Sequence, residues 1–159
     1  MSEEIIITDG SADRARTPVH LWIVAALSAL WNGFGCYEYV MTRTQGATYI
    51  KSMMPDVDAD AYMAYINGFP IWASFGWGLG VWTALLGTIL LILRNKLAVP
   101  AFGLSLIGAV LGLGYQIANP VKLSGMDPTM SIVAPIMVIG FCLFLYFYSR
   151  AMRARGVLR

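Results

Sequence analysis

The sequence predicts an all-α membrane protein: a bundle of four transmembrane helices with a short amphipathic helical cap on the extracytoplasmic side. Three observations lead there. The 159 residues are 58% hydrophobic and only 13% charged, about half the charge of an ordinary soluble domain. So few charges cannot dress a water-facing surface, and the surplus apolar side chains belong against lipid. The charges are also missing from four long runs, and Lys and Arg divide unevenly among the segments that join those runs.

Crossing about 30 Å of hydrocarbon takes about 20 mostly apolar residues. The first run covers residues 19–41, with Glu38 near its end as the only formal charge; the second covers 69–93, the third 97–118 and the fourth 130–149, all uncharged. Arg150, Arg153, Arg155 and Arg159 mark the end of the fourth. Little chain remains for a soluble unit, so residues 18–150 form one domain. Residues 1–17, with Glu3, Glu4, Asp9 and Asp13, lack helical periodicity and read as a flexible cytoplasmic tail. Residues 151–159 read as a basic cytoplasmic tail. Arg14-Ala-Arg16 before an apolar run also suits a cleaved signal peptide, but 23 apolar residues are long for one, which favours a retained first helix.

Cytoplasmic flanks of short-loop membrane proteins retain Lys and Arg. Arg14, Arg16, Arg94, Lys96 and the four C-terminal arginines lie on one side, whereas Arg43, Lys51 and Lys122 lie on the other. Both termini are therefore expected in the cytoplasm. The balance of eleven basic against nine acidic residues leaves no footprint for nucleic acid.

The longest extracytoplasmic connection, 42–68, is patterned. Tyr49, Ile50, Met53 and Met54 give one apolar face to a short helix that Pro55 stops. Asp56, Asp58 and Asp60 then favour a second helix N-terminus, and Asn67-Gly68 ends it. These two helices are the expected cap on the membrane surface.

Helices associate in lipid where small residues let backbones approach. Gly76, Gly80, Ala84 and Thr88 make a four-residue-spaced stripe on the second span, and Gly108 and Gly112 sit beside Ala101, Ser105 and Ala109 on the third. Ala25, Ala29 and Gly33 offer a similar face on the first. The same spacing also suits the seam of a homo-oligomer. Cys36 and Cys142 lie at depths differing by roughly 10 Å, which opposes a disulfide. Neither has ligand spacing with the single His20, so no metal and no cofactor is expected.

The stretch from Trp31 to Thr42 carries the polar groups. Asn32, Gly35 and Tyr39 follow i, i+3, i+7, and Trp31, Gly35 and Glu38 share nearly one face. Polar groups inside a span are costly and point inward. With Trp72 and Trp77 from the second span and Tyr115, Gln116 and Asn119 from the third, they outline a candidate outer pocket. Plainer readings stand beside it. The aromatics suit an interfacial belt, Asn32 suits an interhelical hydrogen bond, Glu38 suits a pair with Arg43 or Lys51, and Asn119-Pro120 suits a helix end.

Trp31-Asn32-x-x-Gly35-x-x-Glu38-Tyr39-x-Met41-Thr42, Phe69-Pro70-x-Trp72, Gly80-Val81-Trp82 and Leu93-Arg94-Asn95-Lys96 resemble an uncharacterised family of small four-span bacterial inner-membrane proteins. Some members carry the automatic label "sugar transporter". The resemblance covers about residues 31–115 and implies a four-helix bundle in a bacterial inner (cytoplasmic) membrane. It implies no substrate and no catalytic residue.

No nucleophile–base set and no Gly-rich cofactor loop occurs in the sequence, so no catalytic residue is assigned and an enzyme is not expected. The expected function is structural or accessory: binding membrane lipid or a partner membrane protein through the outer face. The alternative is an oligomeric small-solute transporter, of sugar or proton-coupled type, with Glu38 in its pathway.

Overall fold

The computed structural model describes residues 17–159; the tail expected over 1–17 lies outside them except for Thr17. Six helices follow one another: α1 (Val19–Thr44), α2 (Ala47–Met53), α3 (Ala59–Asn67), α4 (Ile71–Ile92), α5 (Ala98–Ala118) and α6 (Met130–Ala154). Four of them, α1, α4, α5 and α6, are long and apolar enough to cross a membrane. They match the four charge-poor runs of the sequence.

Local chemistry sets the boundaries. Pro18 and Pro70, both extended, precede α1 and α4; a proline pushes the residue before it out of helical conformation, so each helix starts there. The Asp58 carboxylate accepts a 3.0 Å hydrogen bond from the Ala61 amide and caps α3. The α4–α5 turn places Arg94 at φ 54°, a left-handed position that glycine usually takes. Arg94 is held there from outside the turn: its carbonyl accepts from the Arg159 amide and the Lys96 amide donates to the Arg159 carbonyl, both at 2.8 Å.

That pairing corrects the reading of residues 151–159 as a basic tail and of the fourth span as ending at 149. The helix continues to Ala154 because its arginines carry their charge away on long stems without interrupting the turn. Gly156, at φ 70°, then reverses the chain. Val157 and Leu158 bury their side chains among Leu21, Leu91, Phe102, Leu145 and Met152.

The close backbone pairings run α1 to α4, α4 to α5 and α5 to α6. The second and third of the predicted spans meet tightest. A Cβ on Gly76 would sit 2.5 Å from that of Leu111 and one on Gly112 2.9 Å from the Trp77 nitrogen, while one on Gly108 would collide with the Gly80 nitrogen. Gly76, Gly80, Ala84, Gly108 and Gly112 thus form one α4–α5 seam. Gly33 differs, with nothing within 4 Å of its Cβ direction. On α2, Tyr49 and Ile50 are buried with Ala59 of α3, whereas Met53, expected on the same face, is exposed.

Candidate functional site

The two ends of the bundle differ. Where α4 turns into α5, the Leu21–Leu91–Phe102–Leu145–Met152 cluster fills the interior. Toward α2 and α3 the interior opens into a cavity of about 440 Å³, within the roughly 300–1,000 Å³ range of small-molecule sites. Trp31, Asn32, Phe34, Gly35 and Glu38 of α1 form one wall, and Ala134, Pro135, Val138 and Cys142 of α6 face them. The α4–α5 seam forms the back through Trp77, Gly80, Ala109, Gly112 and Gln116. Tyr62 and Ile66 of α3, with Phe69, close the end.

The cavity is built around polar groups that small residues make room for. Asn32 is buried, and its Nδ2 donates to Thr88 Oγ1 at 2.8 Å, to Ser28 Oγ at 3.1 Å and weakly to the Ala84 carbonyl at 3.5 Å. Ser28 and Thr88 are themselves 2.7 Å apart. The network ties α1 to α4 where an unpaired polar group would be costly. Every fully buried polar side-chain atom among the described residues has a partner. Asn32 Oδ1 has none among the hydrogen bonds of the described residues and is therefore not fully buried, and the residue lines the cavity.

Glu38 lines the same cavity one and a half turns further along. Its Oε1 accepts a short hydrogen bond from the Tyr49 hydroxyl of α2. That bond first, and burial second, push the Tyr49 phenol up to about 12, so it stays a donor at any ordinary pH. Arg43, a sequence-level candidate partner for Glu38, instead holds its guanidinium carbon 5.0 Å from the Trp77 ring centroid and 5.6 Å from that of Tyr39. Ser105 donates to the Gly80 carbonyl at 2.9 Å and lies 3.8 Å from Cys142 Sγ. Cys36 and Cys142 are both free thiols. Among the described residues no cluster of three His, Cys, Asp or Glu side chains exists that could hold a metal ion.

Of the eight residues expected in the outer pocket, Asn32, Glu38, Trp77 and Gln116 line the cavity. The other four do not. Tyr39 lies about 100° around the helix from Glu38 and turns to α4, where its ring meets Trp77 and Trp82 edge-on and its hydroxyl occupies the space that Gly78 leaves. Trp72 is exposed and packs edge-on against Tyr115 at 5.6 Å, and Tyr115 also meets Phe69. Asn119 ends α5: its Nδ2 donates to the Tyr115 carbonyl, and its own carbonyl accepts from Tyr65. Tyr65 is pushed up to about 12, chiefly by burial. Tyr39 thus joins α1 to α4, Trp72 and Tyr115 join α4 to α5, and Asn119 ties the end of α5 to α3.

Sequence reasoning missed two functional partners. Ser28 stands four residues before Asn32, one turn along the same face, a spacing that places its hydroxyl beside the amide. Tyr49 had no such signal, because its contact with Glu38 depends on how α2 folds back on α1.

Comparison with family models, with curated proteins and with solved structures finds no match to this chain.

Proposed function

We propose that this is a small integral inner-membrane protein of accessory type, which binds a lipid-like amphipathic molecule in the cavity at its extracytoplasmic end. In this reading both termini lie in the cytoplasm and residues 42–68 lie outside. The observation that carries it is the cavity itself: apolar and aromatic for most of its wall, with Asn32, Glu38 and Gln116 as a small polar set. That composition suits a ligand with one polar end and an apolar body. The packed cluster at the opposite end argues against a continuous polar path through one protomer, so a transport role for Glu38 would need an oligomer.

Native mass spectrometry on protein released from its own membranes tests the reading. Wild type should carry a small amphiphile that Ala134→Trp, which fills the cavity from α6, lacks. Identical spectra for the two proteins, without any bound amphiphile, would remove it. Counterflow of a solute into proteoliposomes that depends on Glu38 would favour the transporter instead.

A further inference from the structure

Resting on that binding reading, we infer that the cavity takes an organic monocation, with its positive charge beside Glu38 and its apolar body among the aromatic rings, admitted from the lipid between α1 and α6.

The charge argument is the first support. Glu38 is the only carboxylic acid among the residues that line the cavity, and no Lys, Arg or His lines it. The nearest cation along the chain, Arg43, lies over the Trp77 and Tyr39 rings. Glu38 is met instead by the Tyr49 hydroxyl, a neutral donor that orients the carboxylate and brings no positive charge to it. A cavity whose only formal charge is negative, in surroundings where charges are poorly screened, repels anions and attracts cations.

The uncharged groups agree in sign. Asn32 is nine-tenths buried at 7% exposure. Its Nδ2 is consumed by Ser28 and Thr88, so the group this cavity-lining residue has left to offer a ligand is its acceptor oxygen. Trp31, Trp77, Tyr62 and Phe69 contribute aromatic rings to the cavity lining from α1, α4 and the α3 end, and electron-rich rings attract organic cations. A polyol would fare worse, because its hydroxyls point in every direction and most would meet apolar wall without a partner.

The route follows from the packing. Close backbone contact joins α1 to α4, α4 to α5 and α5 to α6, but α1 and α6 are not among the close pairs. They touch through Trp31 and Phe141, with centroids 5.4 Å apart, and through His20 and Tyr148, where His20 Nδ1 and the hydroxyl are 2.6 Å apart. Beyond the Trp31–Phe141 contact, toward α3, the cavity is walled on this side by Phe34 and Glu38 of α1 and by Ala134 and Val138 of α6. Phe34 and Ala134 are exposed. The weakest side of the bundle is therefore the side nearest the carboxylate.

The test uses the full chain in nanodiscs of zwitterionic lipid and two probes of one shape: N-octylpyridinium, which is cationic, and 1-phenyloctane, which is neutral. Titration calorimetry should give saturable binding of the cation at least about tenfold tighter than that of the neutral probe. Glu38→Gln should erase the preference and Glu38→Asp should restore most of it, with thermal midpoints reporting that both variants fold. Equal affinity of wild type for the two probes would overturn the cation assignment and leave the cavity reading standing. A cation preference untouched by Glu38→Gln would overturn it as well. Failure of both probes to bind saturably would overturn both readings.

Discussion

The Tyr49 hydroxyl donates to the Glu38 carboxylate, so a seven-residue helix outside the four spans is tied to the one acid that faces the cavity. The contact couples the α2–α3 segment to the interior. It also fixes which way the carboxylate points, since one oxygen is held from the α2 side.

Replacing Tyr49 by Phe removes that tie while keeping the ring. The bond raises the phenol from 10.0 to about 12, so its stabilisation is complete below the unfolded-state value and is lost as pH rises between about 10 and 12. Thermal unfolding in mild detergent should show a wild-type midpoint that falls over this interval more steeply than that of Tyr49→Phe. At neutral pH the variant should melt a few degrees lower. Parallel curves would mean that the hydrogen bond does not persist in solution.

Gly108→Ala should be among the most damaging single methyl additions in the chain. The added carbon meets the backbone of Gly80 and Gly76, and neither can give way without separating α4 from α5. A loss of about 1–3 kcal/mol is expected from overpacking of this kind. Gly33→Ala, facing open space, serves as the comparison and should keep or slightly raise stability. Equal unfolding free energies in the two variants would contradict the seam.

The Asn32–Thr88 bond, 2.8 Å long and buried, should appear as a coupling in a double-mutant cycle built from Asn32→Ala and Thr88→Val. Interhelical hydrogen bonds in membranes average about 0.6 kcal/mol and reach about 1.7; the upper part of that range is expected, because Ser28 shares the network. Strict additivity would show the amide to be unpaired with α4.

Leu158, 3% exposed in the core cluster, should cost about 2 kcal/mol or more when cut to Ala. Hydrogen exchange at Lys96 should quicken with it, since the Lys96 amide donates to Arg159. Unchanged stability and exchange would restore the reading of residues 151–159 as a free tail.

For orientation, single cysteines placed at the exposed positions Ser52, Ser124 and Ala154, with Cys36 and Cys142 replaced, give a direct readout. An impermeant thiol reagent on intact cells should label the first two, and the third only after the membrane is opened. Labelling of Ala154→Cys alone would invert the proposed topology.

Sequence alone determined the four spans, the small-residue stripes and the two short helices of 42–68, because each rests on information local to one helix. Charge-free length, four-residue spacing, prolines and a capping Asp58 act within a few turns of themselves. It also singled out Asn32 and Glu38, since a polar group inside an apolar run is conspicuous wherever it points. Tertiary structure decided the rest. Tyr39 follows Glu38 directly in the chain, yet the roughly 100° step of the helix sends one to Gly78 and the other to the cavity. Tyr49 became the partner of Glu38, displacing Arg43, through the fold of α2 against α1. Val157 and Leu158 left a basic tail for the core because a glycine at φ 70° aims them there. Those outcomes depend on which helix lies opposite which, a non-local choice that spacing along one helix does not encode.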